Sequence, residues 1–457
     1  MITKNKRPFF SFIAILLIIT IYSWQNINMH RYKSPDSVIR SDVISYYAYL
    51  PATFIDKDYT LQFVKDTTRS YHGIYWVGEA PNGGLVIKTS MGLSMMYAPF
   101  FFVAHLLSEK LGYEASGYSA PYAFTLIFSC VIYLFIGFLF LRKVLLKYFS
   151  DLIAALTLII IGTGTNLYWY ATVEAPMSHG YSFALFCVFL FLMEKWHEKP
   201  KWKTSLFLGL IFGLITLVRP SNGLIVILFI LFNIVKREDI VKRLKLFWTN
   251  YQKILVIILC TFIIWLPQLL YWKSVTCEWL YYSYDDERFF FNDPKIMGVL
   301  FSFRKGWLIY TPVMLFSVIG MGFLWKMNRR YFFPILLFFI CNIYVISSWW
   351  CWWYGGGLGM RPLIESYAIL AIPLATCLAW IFKQRIVMKT ALLVVVLAFY
   401  AQSVFHTIQY YYGAIHWGAM TKEAYFDSFW RVRPSEKFDS YIMEQPDYEA
   451  AKNGDRE

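Results

Sequence analysis

The chain has 457 residues, of which 58% are hydrophobic and only 16% are charged. Soluble domains carry about 25% charged residues, so this composition excludes an ordinary soluble protein and predicts a polytopic membrane protein. The net charge of +14 does not indicate nucleic-acid binding, because Lys and Arg fall in short clusters between apolar segments, as in membrane proteins. The seven cysteines form no CxxC pair and no zinc-type spacing.

The chain starts with a basic stretch followed by an apolar segment, which is typical of an uncleaved signal anchor with a cytoplasmic N-terminus. A transmembrane helix needs roughly 20 apolar residues. Ten further segments approach this length. The predicted spans are therefore 8–27, 120–141, 151–168, 180–194, 204–219, 221–235, 254–272, 307–325, 332–350, 363–382 and 390–410. Another apolar segment, 91–107, would raise the number from eleven to twelve.

The distribution of positive charge decides between eleven and twelve spans. With eleven, roughly half of the 43 Lys and Arg residues lie in short cytoplasmic segments, whereas twelve would place every later cluster outside. We therefore interpret 91–107 as an interfacial or re-entrant helix, held at the outer surface by Tyr97, Pro99 and His105. The predicted fold is an all-α polytopic bundle of about eleven transmembrane helices over 1–410, with a large first outer loop containing interfacial helices, 28–119, and an extracytoplasmic tail, 411–457.

The first outer loop opens with RSDVISYYAYLP, in which Asp42 precedes a group of tyrosines. An aspartate in a polar loop is ordinary when taken alone. The tyrosines could belong to the aromatic belt at the level of the lipid headgroups or form a platform for a sugar, and we favour the belt. Lys88 lies later in the same loop. It either anchors the interface by extending its ammonium group towards water or contributes to a site.

More polar residues are predicted at the same outer face. Glu174 and His179, in VEAPMSHGY, lie where the third and fourth spans meet, and could cap helices. Arg219 ends the fifth span before a proline and could simply fix that helix end. Arg304, in FSFRKGWLIYTP, precedes the eighth span. Both signs of charge thus converge on one face, as at a site, whereas the span interiors contain few of the ionisable residues that mark an ion pathway.

The segment WWCWWYGGGLGMRPLIES carries Arg361 and Glu365. Their i,i+4 spacing predicts an ion pair along one helix face. Arg361 also follows a glycine run and precedes Pro362, so we expect it at the N-terminal end of a helix. Backbone donors, the helix dipole and a guanidinium group at such a position suit a phosphate. We interpret the tryptophans of this segment as belt residues.

Six stretches carry a family resemblance through their order and spacing: SDVISYYAYLP, IKTSMGLSMMYAPFFFVAHLL, GTGTNLYWYATVEAPMSHGYSF, LVRPSNGL, FSFRKGWLIYTPVML and WWYGGGLGMRPLIE. The arrangement resembles the GT-C class of membrane glycosyltransferases, particularly bacterial relatives of the protein O-mannosyltransferase and aminoarabinose transferase group. The chain departs from that pattern twice. Asp42 is followed by Val43 where many relatives have a second acidic residue, and Lys88 is followed by Thr89 and Ser90 where relatives often have Lys-x-Pro.

The resemblance implies an inverting transfer of a sugar from a polyprenyl-phosphate donor, on the outer face of a bacterial cytoplasmic membrane. The acceptor would be an envelope glycan, a lipid or a protein. Asp42 is then the candidate catalytic base, which takes the proton of the attacking hydroxyl. A lone Asp42 offers no cage of several oxygen ligands, so we expect no metal, and no cofactor besides the lipid-linked sugar substrate.

The resemblance also implies residues that bind the substrate. Lys88 and Arg361 are the principal candidates for stabilising the departing phosphate. Arg219 and Arg304 are two further candidate phosphate ligands, and Glu174 and His179 could orient hydroxyl groups. The predicted substrate-binding residues are therefore Lys88, Glu174, His179, Arg219, Arg304 and Arg361.

Two other functions stay open on the sequence. An O-antigen-type polymerase or ligase also acts on lipid-linked sugars, but such enzymes tend to have their large loop late in the chain, whereas 28–119 comes first here. A non-enzymatic flippase of lipid-linked saccharides would need polar residues along a transbilayer groove, and the sequence shows few. The predicted partners are membrane lipids, the sugar donor and an acceptor that the sequence does not identify.

Overall fold

A computed structural model describes residues 8–65 and 77–456, which form α-helices joined by short 3-10 turns and one small hairpin. The hairpin pairs β1 (Val77–Glu79) with β2 (Leu85–Ile87) in antiparallel fashion. The α-helices are α1 (Phe10–Asn28), α2 (Asp42–Tyr47), α3 (Tyr49–Phe54), α4 (Gly92–Ser108), α5 (Ala120–Leu145), α6 (Asp151–Thr163), α7 (Leu167–Ala171), α8 (Ser178–Glu198), α9 (Trp202–Val218), α10 (Val226–Leu231), α11 (Arg237–Thr249), α12 (Tyr251–Thr276), α13 (Ile296–Phe301), α14 (Trp307–Tyr310), α15 (Leu315–Met327), α16 (Arg329–Ser348), α17 (Tyr367–Phe382), α18 (Ile386–Tyr411), α19 (Lys422–Asp427) and α20 (Tyr448–Asn453).

The apolar helices make this a multi-pass membrane protein. Within the described ranges, five helices are long and apolar enough to cross a membrane: Phe10–Lys33, Ala120–Leu145, Tyr251–Thr276, Arg329–Ser348 and Ile386–Tyr411. Several shorter apolar helices lie between them, so the number of eleven spans stays a prediction. The basic residues that direct the predicted orientation of the signal anchor, Lys4, Lys6 and Arg7, lie outside the described residues.

Helices α1 and α6 are neighbours and run parallel, so both pass through the bundle in the same direction. The backbone N–H of Phe10, at the start of α1, donates to Asp151 at the start of α6, and Tyr22 donates to Gly162 farther along both helices. Two ends of the bundle can thus be distinguished. We call one the basic end, which contains Arg330 together with Asp151 and Glu194. We call the other the site end, which contains Asp42, Glu174 and Arg361.

The predicted sixth span, 221–235, is shorter than a usual transmembrane helix. A 3-10 turn, Pro220–Ile225, leads directly into α10. Asn222 donates to Ser182 near the start of α8, whereas the ring of Phe229 contacts that of Trp196 near its end. The stretch of α8 between those two contacts is about 20 Å long at 1.5 Å per residue. This segment therefore follows most of α8 from the site end towards the basic end.

The ambiguous apolar segment forms α4, which lies along only part of a neighbouring helix. Tyr133 of α5 donates to the Met96 carbonyl at 3.0 Å, and His105 lies 2.6 Å from the Tyr122 hydroxyl near the start of α5. These contacts cover the first half of α5. Tyr97, predicted to hold the segment at the surface, is instead fully buried and donates to the Pro176 carbonyl.

Small residues allow the closest helix contacts. Helices α15 and α17 run parallel, and Ser317 of α15 donates to the Leu370 carbonyl of α17 at 2.6 Å. One turn later, a Cβ atom at Gly320 would lie 1.9 Å from the Pro373 carbonyl oxygen. Only a residue without a side chain fits there. At Gly322, on the exposed side of the same helix, a Cβ atom would meet nothing within 4 Å.

These two glycines give a matched pair for testing the packing of α15 against α17. We expect Gly320→Ala to lower the free energy of unfolding by about 1–3 kcal/mol, because the backbones must separate. Gly322→Ala should leave stability unchanged or raise it by up to about 1 kcal/mol through helix propensity. Denaturant unfolding in detergent measures both. Equal effects of the two substitutions would contradict this helix contact.

Candidate active site

An ion pair joins the first and last predicted motifs of the chain. A guanidinium nitrogen of Arg361 lies 3.2 Å from the carboxylate of Asp42, the first residue of α2, and both side chains keep some exposure. Burial opposes the charge of Arg361, but the Asp42 carboxylate acts with Tyr170, Tyr46 and Glu174 to outweigh burial and raise the pKa of Arg361 above its ordinary value. Arg361 lies in a 3-10 turn. Helix α17 begins only at Tyr367, so the prediction that Arg361 opens that helix is wrong.

Glu365 does not pair with Arg361 and instead organises a second group. Its carboxylate, 2% exposed, accepts a hydrogen bond from Nδ1 of the fully buried His179 at 3.0 Å. It also lies 3.8 Å from the guanidinium of Arg219, which donates to Ser178 at 3.1 Å. The predicted pair along one helix face is therefore replaced by contacts between α8, the end of α9 and the segment before α17. His179 and Arg219, both predicted site residues, meet on one carboxylate.

The tyrosines after Asp42 are buried structural residues, so their interpretation as an aromatic belt is wrong. Tyr46, Tyr47 and Tyr49 are 6%, 0% and 7% exposed. Tyr47 donates to the Gly117 carbonyl at 2.6 Å and Tyr49 to the Thr89 carbonyl at 2.7 Å, which fixes the first loop to itself. Tyr46 lies close enough to Arg361 to influence the pKa of that guanidinium. The proximity of Tyr46 to Arg361 could not be predicted, because one interpretation was applied to all the tyrosines of this stretch.

Glu174 supplies a second carboxylate near the Asp42–Arg361 pair. It lies in the turn between α7 and α8, where its backbone N–H donates to the Trp169 carbonyl. Burial raises the pKa of Glu174, although the positive charges of Arg361 and Arg40 act against that rise. In the sequence, Asp42 is followed by Val43 and not by a second acidic residue. The fold brings another within electrostatic reach of the same guanidinium.

Lys88 lies beside this cluster and has its own carboxylate. Its ammonium is 2.6 Å from Glu287 and 5.5 Å from the centre of the Tyr284 ring. Burial raises the pKa of Tyr284, and the nearby Asp42 contributes to the rise. One aromatic ring therefore lies near both Lys88 and Asp42. The acidic run Asp285–Glu287 is visible in the sequence, but nothing local there indicates a lysine partner almost 200 residues away.

Arg304 contacts an aromatic ring and a backbone carbonyl, and its predicted role as a phosphate ligand stays a prediction. Its side chain is 5% exposed and its guanidinium lies 3.8 Å from the centre of the Trp353 ring, a favourable cation–π contact. Its Nε donates to the Gly418 carbonyl at 3.0 Å. The belt interpretation of the tryptophans is also wrong, because Trp350, Trp352 and Trp353 are all less than 9% exposed.

The described residues contain no group of three or more His, Cys, Asp or Glu side chains that could hold a metal ion. The sequence-based expectation of a metal-free site stays a prediction.

No protein-family model and no curated protein matches this chain. Solved structures of the oligosaccharyltransferase of Archaeoglobus fulgidus are similar to it: the apo form (11% identity, TM-score 0.47), a complex with zinc and sulfate (12%, 0.48), and AglB with an inhibitory peptide and a dolichol-phosphate (12%, 0.46). These alignments cover 95%, 94% and 95% of this chain.

The same alignments cover only 61%, 59% and 61% of the archaeal chain, so this chain spans about three fifths of its length.

The buried Glu365 gives a test of the site's internal order. We expect Glu365→Ala to lower the free energy of unfolding by about 1–3 kcal/mol, because it leaves the buried His179 without its hydrogen-bond acceptor. Denaturant unfolding in detergent measures this. Glu449→Ala is the matched control, since Glu449 pairs with Lys452 at the surface and its loss should have no measurable effect. A Glu365→Ala variant as stable as the control would contradict the buried contact.

Proposed function

We propose that this protein is an inverting glycosyltransferase that uses a sugar linked to polyprenyl phosphate. The observation that carries the proposal is the Asp42–Arg361 pair. It places a carboxylate that can take a proton beside a guanidinium that can hold a phosphate. Glu174 and Arg219 lie near the same pair, so the site offers both charges that the transfer requires.

Asp42 is the proposed catalytic base. As the acceptor hydroxyl oxygen bonds to the anomeric carbon, its proton passes to the Asp42 carboxylate. The bond between the anomeric carbon and the phosphate oxygen breaks at the same time, and polyprenyl phosphate leaves with the electron pair. A single displacement of this kind inverts the configuration of the anomeric carbon. The Asp42 side chain is 28% exposed, so an acceptor can approach it.

Arg361 is the proposed principal phosphate ligand, and Lys88 and Arg219 are the other candidates. The leaving phosphate gains charge in the transition state, and fixed cations stabilise that charge without having to reorganise. Arg361 is already held in place by Asp42. A donor phosphate that bound Arg361 would take over part of this ion pair, and would leave the Asp42 carboxylate free to accept the proton of the acceptor.

The site end would face the outside of a bacterial cytoplasmic membrane. The charge distribution of the sequence supports this orientation, because the short segments between the predicted spans at the opposite end carry most of the clustered Lys and Arg residues. The acceptor would then be a glycan, lipid or protein of the cell envelope.

Lipid analysis of cells that lack the protein tests the proposal. We expect a polyprenyl-phosphate-linked sugar to accumulate, and wild-type protein to remove it. Asp42→Asn keeps the shape of the side chain but removes the base, so transfer should fall by at least ~100-fold and the lipid should persist. Asp36→Asn, an exposed residue of the same loop, is the matched control and should restore the wild-type lipid profile.

Three results would contradict the proposal. Normal lipid levels in the Asp42→Asn strain, at equal protein abundance, would exclude Asp42 as the base. Absence of any accumulated lipid-linked sugar in the deletion strain would exclude the proposed donor. Accumulated lipid that is reachable only from the cytoplasmic side would indicate a flippase instead.

A further inference from the structure

A buried lysine holds the loop that precedes Arg361. Lys305 lies between α13 and α14 and is 1% exposed. Its ammonium donates hydrogen bonds to the backbone carbonyls of Gly357 and Trp417. Burial, together with the positive charges of Arg361 and Arg304, lowers the pKa of Lys305 to about 7. A lysine in such surroundings is costly to bury, and it contacts two carbonyl groups where an apolar residue would make no hydrogen bond.

The next carbonyl of the loop is also held by a buried side chain. Nδ2 of Asn166 donates to the Leu358 carbonyl at 3.1 Å, and Asn166 is 2% exposed. Its Oδ1 accepts a hydrogen bond from Tyr367 at 2.7 Å, and Tyr367 accepts one from Trp307 at 3.1 Å. The orientation of the Asn166 amide is therefore fixed. Two successive carbonyls of one loop are thus bound by donors from two distant parts of the chain.

Of the tethered residues, Gly357 lies directly against the Arg361 side chain. Gly357 has a φ of +152°, and a Cβ atom there would lie 2.5 Å from the Tyr170 hydroxyl and 3.4 Å from Cδ of Arg361. Gly359, with a φ of +58°, is similarly close to Tyr310. Glycine gives the chain these conformations, but it also leaves the free backbone highly flexible. A glycine-rich loop without tethers would not hold Arg361 in one place.

We propose that Lys305 and Asn166 are positioning residues for Arg361. They fix the carbonyls of Gly357 and Leu358, and the loop so fixed holds the guanidinium beside Asp42. This inference rests on the proposed function, because it treats Arg361 as the phosphate ligand. A displacement of about 1 Å at a reacting group can cost on the order of 100-fold in rate, so such tethers have functional consequences although neither side chain touches the substrate.

The test uses the purified full-length protein in nanodiscs and a polyprenyl phosphate without sugar, which is the lipid product of the proposed transfer. We expect Arg361→Gln to weaken binding of this lipid. Lys305→Met should weaken binding about tenfold, because it displaces the Arg361 guanidinium without removing it. The decisive variant is the double substitution. It should bind the lipid no more weakly than Arg361→Gln alone, because Lys305 acts only through Arg361.

Two further variants complete the experiment. Asn166→Ala removes the second tether and should show the same dependence on Arg361, which keeps the test valid if Lys305→Met does not fold. Lys273→Met is the matched control. Lys273 also donates to a backbone carbonyl, that of Cys277 at 2.7 Å, but it is exposed and its partner lies at the end of its own helix. The Lys273→Met variant should bind the lipid like the wild type.

The outcomes separate this inference from the proposed function. If Arg361→Gln weakens binding but Lys305→Met and Asn166→Ala do not, the positioning role is wrong and the function stands. Losses that multiply in the double variant would also overturn the positioning role, because they would show that Lys305 acts independently of Arg361. If Arg361→Gln leaves binding unchanged, both the phosphate role of Arg361 and this inference are wrong.

Discussion

The ion pair between Asp42 and Arg361 is the contact on which the site depends. It joins residues separated by most of the chain, one at the start of the first loop and one before α17. Hydrogen bonds of neighbouring residues fix the loop that carries each partner. Tyr47 and Tyr49 fix the loop that carries Asp42, whereas the carbonyl contacts of Lys305 fix the loop that carries Arg361. The fold thus makes a small reactive pair from two segments that could not form it locally.

The three basic residues now proposed as phosphate ligands share one feature, since each lies near a carboxylate. Arg361 faces Asp42, Lys88 faces Glu287 and Arg219 approaches Glu365. An opposite charge close to a cation favours its charged form. These carboxylates therefore stabilise the charge of the cations in the absence of substrate. An anionic ligand such as a phosphate can replace a carboxylate at little electrostatic cost, whereas a neutral ligand would leave a charge unpaired.

Much of the site could be predicted from the sequence, because charges are rare in this chain and those outside the spans are conspicuous. Asp42, Arg361, His179 and Arg219 were identified in this way, and the structure brings them to one end of the bundle. The pairing could not be predicted. The i,i+4 rule favours Arg361 with Glu365, but the backbone at Arg361 forms a 3-10 turn outside the helix, and the long-range partners take precedence.

Aromatic residues were the other source of error. Tyrosines and tryptophans near span ends usually belong to a membrane belt, yet here Tyr46 and Trp353 are buried against arginines. Burial depends on contacts with distant segments, such as the residues after α18, and the local sequence does not contain that information. The burial of Arg304 could not be predicted for the same reason, because its position before a span suggests exposure, whereas its side chain is buried and donates to the Gly418 carbonyl.

The most direct test of the central claim is an experimental structure of the protein in nanodiscs with a bound polyprenyl phosphate. We predict phosphate density within hydrogen-bonding distance of the Arg361 guanidinium, with the Asp42 carboxylate facing the space beside the phosphate. Phosphate density elsewhere, with Arg361 still bound only to Asp42, would contradict the account.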